Sequence, residues 1–69
     1  MKEFLDRMIE EHKDLDMKVA KIELFKTLSK YQDLTIIEKD LLDMQLTHMK
    51  RYNEILSKRI GYYLSGGKL

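Results

Sequence analysis

Three residues able to hold a polar ligand, Gln45, Tyr52 and Arg59, recur every seven positions in the second half of the sequence. A guanidinium pairs with phosphate oxygens, a phenol stacks or hydrogen-bonds, and a primary amide reads the edge of a base or sugar. Two apolar rows flank them, Leu42, Met49, Leu56 and Tyr63 on one side and Leu41, His48, Ile55 and Tyr62 on the other. A seven-residue spacing returns to nearly the same side of a helix, so this polar ladder runs inside a surface that should be buried. Burying an amide, a phenol and a guanidinium is costly unless each finds a partner. Either a ligand supplies those partners, or the rungs are polar layers that set the register of an oligomer, with the arginine reaching solvent at the margin.

A second ladder, Arg7, Asp14 and Lys21, has the same spacing in the first half. It reads as a solvated charge row, or as a source of further anion contacts from Arg7 and Lys21. The two histidines, His12 and His48, and the absence of cysteine leave no set of ligands for zinc. Glu10, Glu11, Asp14 and Asp16 are too evenly spread to single out a catalytic carboxylate pair, and no serine lies in a nucleophile motif. Gly66-Gly67 stands near the C-terminus, not between a strand and a helix where a phosphate loop belongs. Catalysis and a bound cofactor are therefore not expected.

The elements that must position these residues are helices. Leu5, Met8, His12, Leu15, Val19 and Ile22 alternate by three and four, with Phe4, Ile9, Phe25 and Leu28 widening the stripe, which predicts a helix from about Lys2 to Lys30. The pattern lapses near residues 31–34. Thr35-Ile36-Ile37-Glu38 then reads as a capping box opening a second helix over about 35–64. Ser65-Gly66-Gly67 ends it and starts a flexible tail over 65–69. So short a connection makes an antiparallel hairpin. Residues 2–16 carry six acids and three bases, whereas 46–64 carry four bases and Glu54 alone, so folding back lays an acidic start beside a basic end.

A 69-residue chain is one domain at most, and without disulfides or a metal it needs a partner subunit as its staple. Each apolar stripe is wider than the one line along which two helices touch. The predicted fold class is accordingly all-α, an antiparallel two-helix hairpin assembling into a helical-bundle homo-oligomer. Thirteen basic residues against twelve acidic ones argue against a DNA or RNA polymer as partner, and the weak patch Lys50-Arg51-Tyr52 does not change that. No signal peptide or membrane span is legible, because purely apolar runs reach only three residues.

The pattern Phe4-Leu5-x-Arg7-Met8-x-x-Glu11-x-x-x-Leu15, followed by Leu41-Leu42-x-x-Gln45-x-x-x-Met49-x-x-Tyr52-x-x-x-Leu56-x-x-Arg59-Ile60, resembles a family of small helical proteins of tailed phages, crAss-like phages included. The ordered set Arg7, Gln45, Met49, Tyr52 and Arg59 is its more distinctive part. In size and layout the chain is also similar to the helical-hairpin sponges with which phages sequester the cyclic nucleotide signals of CBASS and Thoeris defence. That second likeness is one of architecture and transfers no residues. Together the resemblances imply a non-enzymatic sponge in the cytoplasm of an infected bacterial host. It would hold a small nucleotide signal between subunits through Arg7, Lys21, Gln45, Met49, Tyr52 and Arg59. The alternative is a protein–protein module, an adaptor or inhibitor laying its apolar face on a host protein.

Overall fold

A computed structural model describes residues 2–67. These residues are helical without a strand: α1 spans Lys2–Phe25, α2 is the single turn Ser29–Gln32, and α3 spans Ile36–Leu64. Lys68 and Leu69, the end of the expected tail, lie outside the described residues. Phe4 meets Tyr63, Glu11 meets Tyr52, Asp16 meets Asn53 and Lys26 meets Asp43. From Phe4–Tyr63 at one end to Lys26–Asp43 at the other, partners late in the chain meet partners early in it, as an antiparallel pair of α1 and α3 requires.

The first helix stops at Phe25 rather than at Lys30. The Thr27 hydroxyl donates to the Leu24 carbonyl at 2.6 Å, and Thr27 and Leu28 donate their amides only three residues back. Such local bonds satisfy the last carbonyls of α1 and compete with continued helix. Leu28 is then extended (φ −90°, ψ 154°), and α2 swings Tyr31 edge-on against Phe25, with ring centres 6.2 Å apart. Lys26 and Lys39 sit over the Tyr31 ring at 5.9 and 5.4 Å, so the hairpin tip is closed by an aromatic plug with cations on its face.

Both ends of α3 follow the rules that its sequence suggests. Thr35 Oγ1 accepts the Glu38 amide at 3.1 Å and donates to the Glu38 carboxylate at 3.2 Å. The carboxylate thus reaches back to the threonine hydroxyl, where a capping box would use the backbone amide. At the other end Gly67 donates to the Tyr62 carbonyl at 2.9 Å and Gly66 to Tyr63 at 3.2 Å, a Schellman motif. Gly66 carries the left-handed φ of +97° that the motif needs. Replacing Thr35 with Ala should cost about 1 kcal/mol, or about 4–8 °C in a thermal melt, while Thr35→Ser should retain most of the stability.

The core is thin. Only Met8, Leu46 and Leu56 are buried among the described residues, with the rest of the α1 seam (Leu5, His12, Leu15, Val19, Ile22) half-buried. Phe4 and Leu28, expected to widen that seam, are exposed. The chain forms a rod of 48 × 15 × 14 Å with a radius of gyration of 15.5 Å. A compact domain of this length would have about 11 Å. Its surface of 5556 Å² likewise exceeds the roughly 4600 Å² usual for a monomer of 8.3 kDa.

Charge is arranged differently from the simple expectation. The ion pairs across the hairpin lie toward the tip, Glu23 of α1 with Lys50 at 3.2 Å and Lys26, just past α1, with Asp43 at 2.7 Å. Nearer the open end the acids of α1 accept from neutral groups, Glu11 from the Tyr52 hydroxyl and Asp16 from the Asn53 amide. Arg51 and Lys58 pair within their own helix with Glu54, because their positions on α3 turn away from α1.

Candidate functional site: a furrow along the polar ladder

The two rows flanking the ladder have different fates. Leu42, Met49, Leu56 and Tyr63 pack toward α1 and are half-buried or buried. Leu41, His48, Ile55 and Tyr62 are all exposed, as are Ile37 and Met44 on the same side of α3. Gln45, Tyr52 and Arg59 are exposed too. In a single hairpin the ladder therefore marks the border between the packed seam and an exposed apolar row.

Along that border lie three clefts, and the ladder residues partition them. The first, about 350 Å³, lies beside Leu41, Leu42 and Gln45 near the tip. A central cleft of about 420 Å³ has Glu11, Asp14, Leu15 and Lys18 of α1 as one wall and Gln45, His48, Met49 and Tyr52 of α3 as the other. The last, about 210 Å³, is bounded by Tyr52, Ile55, Leu56 and Arg59. Gln45 is shared by the first two and Tyr52 by the last two, so the clefts read as one furrow divided by polar rungs.

Of the six residues singled out in the sequence, Gln45, Met49, Tyr52 and Arg59 line this furrow. The Gln45 amide points at the Met49 sulfur, 3.7 Å away. Arg7 and Lys21 are exposed and do not line these clefts. Asp14, the middle rung of their ladder, does line the central one. Arg7 and Lys21 thus stand one heptad to either side of it, roughly 10 Å along the same face of α1. Sequence reasoning passed over Glu11, Lys18 and His48 as site residues. The first two share the α1 margin with Asp14 at helical spacing, a signal that becomes legible only once the pairing with α3 is known.

Tyr52 is the hinge of the site's electrostatics. Its hydroxyl donates to the Glu11 carboxylate, and this hydrogen bond is the main reason its pKa stands above the ordinary 10.0. Desolvation and the Glu11 charge push the same way, while nearby Arg59 pulls it down. The folded state thus favours the neutral phenol. The contribution to stability is complete below pH 10.0 and is lost as the pH rises through the higher folded-state value. In a spectrophotometric titration, the step removed by Tyr52→Phe should lie above 10.0, and Glu11→Gln should bring it down.

On the opposite margin, Asp16 takes the Asn53 amide and lies 3.3 Å from His12 Nδ1. That cluster and the Tyr52–Glu11 hydrogen bond are both polar register points between α1 and α3. The described residues offer no grouping of three or more His, Asp or Glu able to hold a metal ion, and no helix among them is long and apolar enough to cross a membrane.

What these features define is a small helical hairpin with an open furrow whose walls mix stacking, amide and charged groups. The sequence pattern of the Sequestin family matches residues 2–62, and the chain belongs to that family. No curated protein and no solved structure matches it.

Proposed function

We propose that the chain is a non-enzymatic sequestering protein that holds a small anionic nucleotide between subunits. The ligand would be a cyclic signal of bacterial immunity, and its capture would lower the free concentration in the cytoplasm of a phage-infected host. The observation that carries this reading is the furrow divided by Gln45 and Tyr52 and ended by Arg59. The family name, Sequestin, agrees with retention in place of turnover.

In this reading a base stacks on Tyr52, and Gln45 fixes its edge, with Met49 as the apolar floor. Lys18 and Arg59 take phosphates at the two ends, with Arg7 and Lys21 as outer cations. Glu11 and Asp14 accept from ribose hydroxyls or exocyclic amines, which makes use of carboxylates that would repel a bare polyanion. Nanomolar retention corresponds to about 12 kcal/mol. A charge-assisted hydrogen bond contributes about 1.5–3 kcal/mol and a stacked base about 1–3. Two phosphate contacts and one stacked base give about 4–9 kcal/mol, and rungs from a second copy would add to them, so assembly of copies is part of the proposal. Titration calorimetry against cyclic di- and trinucleotides and cyclic ADP-ribose isomers should give heat with at least one of them. Silence with all of them, from a folded assembly, would refute the reading.

The exposed row on α3 supports a rival, a module docking on a host protein. Under that reading nucleotides give no heat, and a host partner co-purifies through Ile37, Leu41 and Ile55.

A further inference from the structure

We infer that the exposed row of α3 is covered by α3 of a second copy, running antiparallel, and that this pairing brings the two polar ladders onto one shared trough. The row Ile37, Leu41, Met44, His48, Ile55 and Tyr62 recurs at intervals of three, four and seven along most of the helix, and all six side chains are exposed. It is a stripe of coiled-coil width lying on the side of α3 away from the α1 seam.

Charge selects the occupant and its direction. Asp43 and Lys50 are paired toward α1, with Lys26 and Glu23, while Lys39 lies over the Tyr31 ring and Glu54 takes Arg51 and Lys58. The charges at the margins of the exposed row are Glu38 and Asp40 in the first part of α3 and Lys58 and Arg59 in the last. A parallel copy would lay the acidic part beside an acidic part and the basic part beside a basic one. An antiparallel copy lays Glu38 and Asp40 against the basic end of its partner, at both ends of the pair.

The register follows from the same residues. Setting Met44 against the partner's Ile55 also sets Ile37 against the partner's Tyr62. Asp40 and Lys58 share one margin of the row, being five helical turns apart, and in an antiparallel pair such same-margin residues face each other. The other margin is the ladder. There Gln45 comes level with the partner's Tyr52, and Glu38 with the partner's Arg59. Seen from α3, the ladder lies between the α1 seam and the outer row, so α1, α3 and the two helices of the partner curve around it. The polar rungs of both copies then line a single two-fold trough centred near His48.

The pairing itself is independent of what the trough holds. Its use as a binding site rests on the sequestration reading and predicts binding by the dimer, with rungs of both copies touching the ligand, and not by the single chain.

The chain has no cysteine, so introduced thiols report on the pairing without background. A size-tagged Met44→Cys chain is mixed with Ile55→Cys under mild oxidant. The expected result is a disulfide between the two variants and little within either, since like positions lie roughly 16 Å apart in this register and a disulfide needs Cα atoms within about 7 Å. Sedimentation of the wild-type chain should show a dimer or a multiple of it. Ile55→Glu, which replaces an exposed side chain, should weaken self-association more than about tenfold with unchanged helix content. Disulfides within each variant but not between them would mean a parallel pairing and overturn the inference. A monomer at tens of micromolar would overturn it too, and would leave the row to a different protein. Cross-linking as expected, with no nucleotide bound, would keep the interface and remove only the sequestration reading.

Discussion

Under the sequestration proposal, Arg59→Met should lower nucleotide affinity by about tenfold to a hundredfold, with helix content unchanged. Only a small loss of self-association should accompany it, since an exposed pair with the partner's Glu38 is worth about 0–1 kcal/mol. Arg59 is exposed at the end of the furrow, near enough to Tyr52 to pull its phenol pKa down. No side chain packs its guanidinium into the core, so methionine keeps the aliphatic stem and removes only the charge. A charge-assisted contact to phosphate is worth about 1.5–3 kcal/mol, which gives the stated range. Calorimetry with the responsive nucleotide measures it. An unchanged affinity would take Arg59 out of the site, and lost assembly would make it a structural residue instead.

Leu56→Ala should be the most damaging single truncation in the chain. Leu56 is 2% exposed, the most buried side chain described, and the core holds only two others in that class. Removing a buried leucine costs about 2–5 kcal/mol, while a domain this small seldom has more than about 3–5 kcal/mol to lose. Far-ultraviolet circular dichroism at 25 °C should therefore show a largely unfolded chain, or one that refolds only at high protein concentration. Leu64→Ala, at a side chain 66% exposed, should differ little from the parent. Comparable losses from both would mean that the hairpin seam is not where the stability resides.

Both predictions draw on features that were unequally legible in the sequence. The long helices came from apolar spacing alone, and Thr35, Glu38, Gly66 and Gly67 marked the limits of α3 because caps and left-handed turns have few chemical solutions. The end of α1 had no such marker. It depends on a hydroxyl of Thr27 bonding backward and on Leu28 becoming extended, in a stretch with neither glycine nor proline. The ladder's period was visible, but periodicity does not say how much of a wide stripe a single partner helix covers. Only the pairing with α1 shows that the Leu42 row is packed and the Leu41 row is not. The α1 wall of the furrow escaped notice for the same reason. Glu11 and Lys18 face the furrow through the rotation of one helix against another, and the pairing of Asp16 with Asn53 joins residues far apart in sequence.

Retention without turnover can be tested in one step. The protein is purified from bacteria producing the cyclic signal, washed, and heat-denatured, and the supernatant is read by mass spectrometry. The account predicts release of chemically intact nucleotide at a fixed ratio to protein, reduced by Arg59→Met. A supernatant holding no nucleotide, or only its cleavage products, would contradict it.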